Sequence, residues 1–175
     1  MGTLQARLAR GDQAAFAELY DVCADRVGHY LLVRLGSRED ANDALQETFL
    51  RLARTRKRLG EVENLEAYVF GIARNEASRL AASRARRDAR REPLATDELF
   101  CNPPGEDEAR DNAEAVAAAF GQLAADLREV VELKTYAGLT LQEISRVTGV
   151  PQGTVATRYR AALAKLETWL ARQLK

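Results

Sequence analysis

The 175-residue chain carries 26 basic and 26 acidic side chains, no net charge and 46% hydrophobic residues, which suits one or two small globular domains. With only four prolines among long Ala, Leu, Arg and Glu runs, the expected fold class is all-α. No run approaches a membrane span, the opening MGTLQARLARGD lacks a signal peptide's apolar core, and Cys23 and Cys101 have neither metal nor disulfide-framework spacing, so a reducing, cytoplasmic setting is expected.

Thr3 to Arg10 reads as a short first helix ended by Gly11. Asp12 caps a longer one, in which Phe16, Leu19, Tyr20, Cys23, Val27, Tyr30 and Leu31 recur at helical spacing and predict a buried stripe. Cys23 falls on that stripe as core filler. His29 has no partner at metal spacing and reads as structural. Gly36 stops the helix, and Ser37 with Asp40 starts the next. This third helix, roughly Arg38 to Arg56, is expected to bury Ala41, Leu45, Thr48, Phe49 and Leu52, leaving Asp40, Asp43, Gln46 and Glu47 on its remaining face. Gly60 breaks the pattern. Asn64 then caps a fourth helix through Tyr68, Val69, Ile72, Ala73 and Leu80, which runs into a basic end with Arg74, Arg79, Arg84, Arg86, Arg87, Arg90 and Arg91.

Charge divides the chain more sharply than its total suggests. Residues 1–91 have a formal charge of +4, residues 92–114 of −7 and residues 115–175 of +3. Residues 88–112 hold all four prolines but one, lack apolar periodicity and read as a flexible acidic linker. The expected organisation is therefore two small helical domains, 1–91 and 113–175, joined by residues 92–112. Basic blocks suit phosphate partners.

After the linker, a helix from Ala113 carries Val116, Phe120 and Leu123, and Asp126 with Glu129 is expected to cap another bearing Leu127, Val130, Val131 and Tyr136. Gly138 leads into LTLQEISRVTGVPQGTVATRYRAALAKL, residues 139–166. Thr140 and Glu143 form a capping box, Leu139 and Ile144 a hydrophobic staple, and Gly149 a left-handed helix end. Pro151 stands near the first turn of the last helix. That helix buries Val155, Tyr159, Ala162, Leu163 and Leu166 and presents Gln152, Gly153, Thr154, Thr157, Arg158 and Arg160. A short helix, a glycine corner and a polar, arginine-bearing second helix predict a DNA-binding helix-turn-helix. Trp169 and Leu170 are expected to close this domain's core.

Three stretches together resemble a bacterial sigma factor of the extracytoplasmic-function (ECF) group. SREDANDALQETFLRLAR resembles the region-two helix that grips the polymerase clamp. NLEAYVFGIARNEASRLAASRARR resembles the segments that open and read the minus-ten element, and LREVVELKTYAGLTLQEISRVTGVPQGTVATRYRAALAKL resembles region four, which reads the minus-thirty-five element. The chain departs from the family where Tyr68 replaces a frequent Trp, Ala124 a frequent Pro and Arg79 a frequent Asp.

The resemblance implies roles. Asp40, Asp43, Gln46 and Glu47 would contact core polymerase. The loop from about Leu59 to Asn64, with Arg74, Asn75 and Arg79, would meet the minus-ten element, and Arg84, Arg86 and Arg87 its phosphates. Tyr68 and Phe70 are the aromatic candidates for stacking on unpaired bases, with a core position as the alternative for Tyr68. Gln152, Gly153, Thr154, Thr157, Arg158 and Arg160 would meet the minus-thirty-five element in the major groove. Implied partners are the polymerase clamp and flap, promoter DNA and an anti-sigma factor. No Gly-rich phosphate loop, metal-ligand cluster or nucleophile–base set is present, so neither catalysis nor a cofactor is expected. The competing readings are a stand-alone helix-turn-helix regulator and a helical adaptor binding through its acidic helix.

Overall fold

The computed structural model describes residues 3–88 and 119–173, the side chains of 87, 88 and 173 apart. The predicted linker at 92–112, the start of the helix expected from Ala113, Arg90, Arg91 and Cys101 lie outside the described residues. The chain divides into two units, and no strand occurs among the described residues.

The first unit holds α1 (Leu4–Ala9), α2 (Gln13–Leu35), α3 (Arg38–Arg54), a 3-10 turn (Arg56–Glu61) and α4 (Leu65–Asp88). Local chemistry sets each start. The side chains of Thr3, Asp12 and Ser37 each accept a first-turn N–H, and Asn64 Oδ1 accepts from Ala67 N at 2.9 Å. Gly36 ends α2 with φ 66°, a left-handed conformation that costs a residue with a Cβ. α2, α3 and α4 pack against one another, and α1 lies on the 3-10 turn. Their apolar stripes meet in a core that includes Leu19, Cys23, Val27, Tyr30, Leu31, Leu52, Val69 and Phe70. Thr48 is buried there too, its hydroxyl satisfied by Ala44 O at 2.6 Å. Burial pushes the Cys23 thiol up to about 11, which suits its expected place as core filler.

Several residues on the predicted stripes are less covered than expected. Tyr20 is 47% exposed, and Leu45 and Phe49 are half-buried. The result is an open groove lined by Phe16, Tyr20, Leu45, Phe49 and Leu50, with the Tyr20 and Phe49 rings 4.8 Å apart. Phe70 is corrected in the other direction. It is fully buried, edge-on to Tyr30 at 5.8 Å, and is closed to stacking on a base. Tyr68 is half-buried.

The second unit holds a helical turn at residues 119–121, then α5 (Ala125–Thr135), α6 (Leu141–Thr148) and α7 (Gln152–Gln173). Leu123, Val131 and Ala162 form its buried cluster, flanked by Phe120, Leu127, Tyr159 and Leu166. Two expectations fail here. Asp126 is not the cap of α5: Ala124 is, without a side-chain bond. Leu163 is 44% exposed rather than buried. Pro151 stands immediately before the first turn of α7, as expected, its carbonyl accepting from Val155 N at 3.0 Å. Trp169 and Leu170 are half-buried.

Candidate nucleic-acid and polymerase interfaces

The α6–α7 corner is built from short-range bonds. Glu143 N donates to Thr140 Oγ1 at 3.2 Å while Thr140 N donates to Glu143 Oε2 at 2.7 Å, so two free helix-start donors are satisfied reciprocally. Leu139 and Ile144 are both buried beneath that cap. Gly149 ends α6 at φ 71°. Three side-chain bonds brace the corner: Ser145 Oγ to Val150 O at 2.6 Å, Thr148 Oγ1 to Ile144 O at 2.7 Å, and Val150 N to Thr148 Oγ1 at 3.3 Å. A corner held this way fixes the direction in which α7 leaves it.

Val155 and Ala162 anchor the inner face of α7, both fully buried. Gln152, Gly153, Thr154, Thr157 and Arg160 are exposed. Gly153, Thr157 and Arg160 recur on one stripe, where a Cβ on Gly153 would meet nothing within 4 Å. Thr157 Oγ1 donates to Gly153 O at 2.9 Å and Arg160 Nε to Ala156 O at 3.3 Å, leaving the rest of each polar group accessible. Arg158 differs. Its Nε is 3.2 Å from Asp126 Oδ2 of α5, so this arginine is tied to the frame of the unit.

In the first unit, α3 presents the exposed Asp43 and Gln46 beside the half-buried Glu47, which takes an ion pair from Arg54 at 3.1 Å. Gln46 also borders the apolar groove, so a polar stripe and an apolar surface run side by side. Asp40 does not join them. Its Oδ2 is buried and 2.8 Å from Arg84 Nη2 of α4.

The α4 residues expected at the minus-ten element separate into different faces at about 100° per residue. Asn75, Arg79 and Arg86 are exposed along one stripe. Arg84 lies on the α3 side, held by Asp40. Arg74 is half-buried on another face, and Arg87 stands in the last turn, its side chain outside the described set. Two participants went unread in the sequence. Glu76, fully buried, receives both Arg51 and Arg79. The Glu76–Arg79 spacing of a helical ion pair was a usable signal, whereas Arg51 comes from another helix and left none.

Among the described residues no group of His, Cys, Asp or Glu could hold a metal ion, and no helix is long and apolar enough to cross a membrane.

Comparison with known proteins gives the same division. The family model for Sigma-70 region 2 matches residues 19–88, and that for Sigma-70, region 4 matches residues 113–166. The ECF RNA polymerase sigma factor BldN of Streptomyces coelicolor is 35% identical over 95% of this chain. The ECF RNA polymerase sigma factor SigE of Mycolicibacterium smegmatis is 33% identical over 94%. The chain spans 65% and 66% of those two proteins' own lengths. Among solved structures, the sigma factor RpoE of Bartonella quintana, in complex with the anti-sigma factor NepR, shares the fold. Its TM-score is 0.77 at 21% identity, over 89% of this chain and 96% of that one.

Proposed function

We propose a function from one premise: this chain belongs to the sigma-70 family of RNA polymerase sigma factors, in its extracytoplasmic-function group. The protein binds core RNA polymerase and directs promoter-specific, DNA-templated initiation. Residues 1–91 act as region two, which binds core enzyme and recognises and melts the minus-ten element. Residues 113–175 act as region four, which reads the minus-thirty-five element, and residues 92–112 join them. It works in the cytoplasm, catalyses no covalent step and needs no cofactor.

The observation that carries this reading is the pairing, in one chain and in this order, of the α3–α4 frame with a capped helix-turn-helix. Asp43, Gln46 and Glu47, with the groove beside them, suit a polymerase element that is basic and partly apolar. The clamp is that partner, the flap is the partner of region four, and an anti-sigma factor would act by covering such surfaces. Arg79 and Arg86 suit a single strand whose phosphates they neutralise, and Asn75 beside them offers hydrogen bonds to its bases or backbone. Gln152, Thr154, Thr157 and Arg160 suit major-groove edges and phosphates, with Gly153 allowing close backbone approach.

Region four has a formal charge of only +3 over residues 115–175, so the free chain neutralises few phosphates. Core enzyme supplies the missing affinity by making the second contact intramolecular. The test is run-off transcription and footprinting on a genomic promoter library with the chain alone, core alone and both together. Promoter-specific transcripts and strand opening are expected only with both. Sequence-specific duplex protection by the chain alone, unaffected by core and without opening, would favour a stand-alone helix-turn-helix regulator.

A further inference from the structure

Glu76 sits in the middle of α4 with a side chain that is 0% exposed, while Arg79, one turn on, is 56% exposed. A buried carboxylate persists only with close cationic partners, and two guanidinium groups supply them. Arg51 Nη2, from α3, lies 2.9 Å from Glu76 Oε1, and Arg79 Nε lies 2.9 Å from Oε2. Each carboxylate oxygen therefore has its own arginine, and the cluster keeps a net positive charge.

Arginine has five N–H donors in a rigid fork. Arg79 commits its Nε to Glu76, and its two Nη groups make no other bond among the described residues. We infer that Glu76 is a positioning residue for nucleic-acid binding: it holds Arg79 by Nε, leaves the Nη groups for a promoter-strand phosphate, and references them to α3 through Arg51. This rests on the proposed function, which takes this face of α4 as the one that meets DNA.

Two effects oppose each other here. The carboxylate lowers the positive potential around Arg79, which weakens a phosphate contact. It also removes side-chain freedom that binding would otherwise have to remove, which strengthens that contact. The second effect prevails because Arg51 neutralises the carboxylate independently, so Arg79 retains its charge while losing its freedom.

The test measures binding of the full chain, alone and assembled with core RNA polymerase, with core alone as baseline. The probe is a fluorescein-labelled single strand of about 20 nucleotides and random sequence, titrated by anisotropy between about 50 and 200 mM KCl. Arg79→Ala is expected to weaken binding about fivefold and to flatten the salt slope by about 0.7, one single-strand phosphate contact. Glu76→Gln, similar in size and still an acceptor, is expected to weaken binding about threefold, with no further loss once Arg79 is Ala. Arg79→Lys keeps the charge but offers one ammonium to two acceptors, and is expected to weaken binding about as much as Glu76→Gln.

Tighter binding by Glu76→Gln would mean that the carboxylate masks Arg79, and overturns the inference. An equal loss in the Arg79→Ala background would make Glu76 merely structural, and overturns it too. If circular dichroism shows that Glu76→Gln does not fold, Arg79→Lys decides alone, and wild-type affinity for that variant counts against positioning. Failure of the wild-type chain to bind the strand in either form overturns the inference before any variant is made, whereas failure of the proposed function itself is read separately, as the absence of promoter-specific run-off transcripts with core enzyme.

Discussion

Arg158 on α7 reaches Asp126 in the first turn of α5, Nε to Oδ2 at 3.2 Å. The side chains are 30% and 49% exposed, and such a pair contributes at most about 1 kcal/mol to folding. Its consequence for binding is larger in kind, because it aims one arginine of the proposed recognition helix.

Asp126→Ala is therefore expected to weaken holoenzyme binding to a duplex promoter fragment while lowering stability by less than about 1 kcal/mol. In an Arg158→Ala background the same change should do nothing more to binding. A gel-shift double-mutant cycle checks this, and equal losses in both backgrounds would separate the two residues.

Reversing Asp43 and Glu47 together to Lys is expected to weaken core polymerase affinity tenfold or more, on the order of a like-charge clash across an interface. Asp43 is exposed and Glu47 pairs only with the exposed Arg54 among the contacts described, so helicity should hold. A core-binding titration with circular dichroism alongside separates the two effects. Unchanged core affinity would remove this face from the proposed interface.

Two glycines should respond to alanine with opposite signs. Gly149 has φ 71°, and a Cβ added there would meet nothing within 4 Å, so the cost is backbone strain of about 1 kcal/mol. Gly71 stands inside α4, also with nothing within 4 Å, so Ala should stabilise by roughly 0.5–1 kcal/mol. Urea unfolding of both variants measures the pair. Gly149→Ala should also reduce duplex recognition, since the corner sets the direction of α7.

The Asp12 carboxylate is held below its usual value of 3.8, first by the hydrogen bond from Arg7 and then by the N–H of Ala15. A depressed folded-state value means the unfolded chain binds the proton first as pH falls. The stabilisation is therefore complete above the usual carboxylate range and is lost as pH falls through the lower folded value. Asp12→Asn keeps a cap acceptor but loses this dependence. Its stability deficit against wild type should be constant near neutral pH and shrink in acid, measured by denaturant unfolding across pH. A deficit that does not change with pH would assign the whole effect to the cap.

What the sequence determined by itself is what lies within one or two helical turns. Asp12, Ser37, Asn64 and Thr140 were all readable as caps and bond as such, because a cap and its partner are at most three residues apart. Gly36 and Gly149 were readable as helix ends for the same reason. Periodicity told which way each stripe faces, but not how deeply it is covered. Tyr20, Leu45, Phe49 and Leu163 have the right phase and incomplete burial, since coverage depends on where a neighbouring helix passes. Charged residues show the limit most clearly. Arg79, Arg84 and Arg158 read alike in the sequence, as arginines on helices with a polar face. Packing of α3 against α4 brings Asp40 to Arg84 and Arg51 to Glu76, and α5 brings Asp126 to Arg158. An ion pair forms across about 3–4 Å of space whatever the distance along the chain, so only the tertiary structure could decide which arginines are held and which remain open to a phosphate.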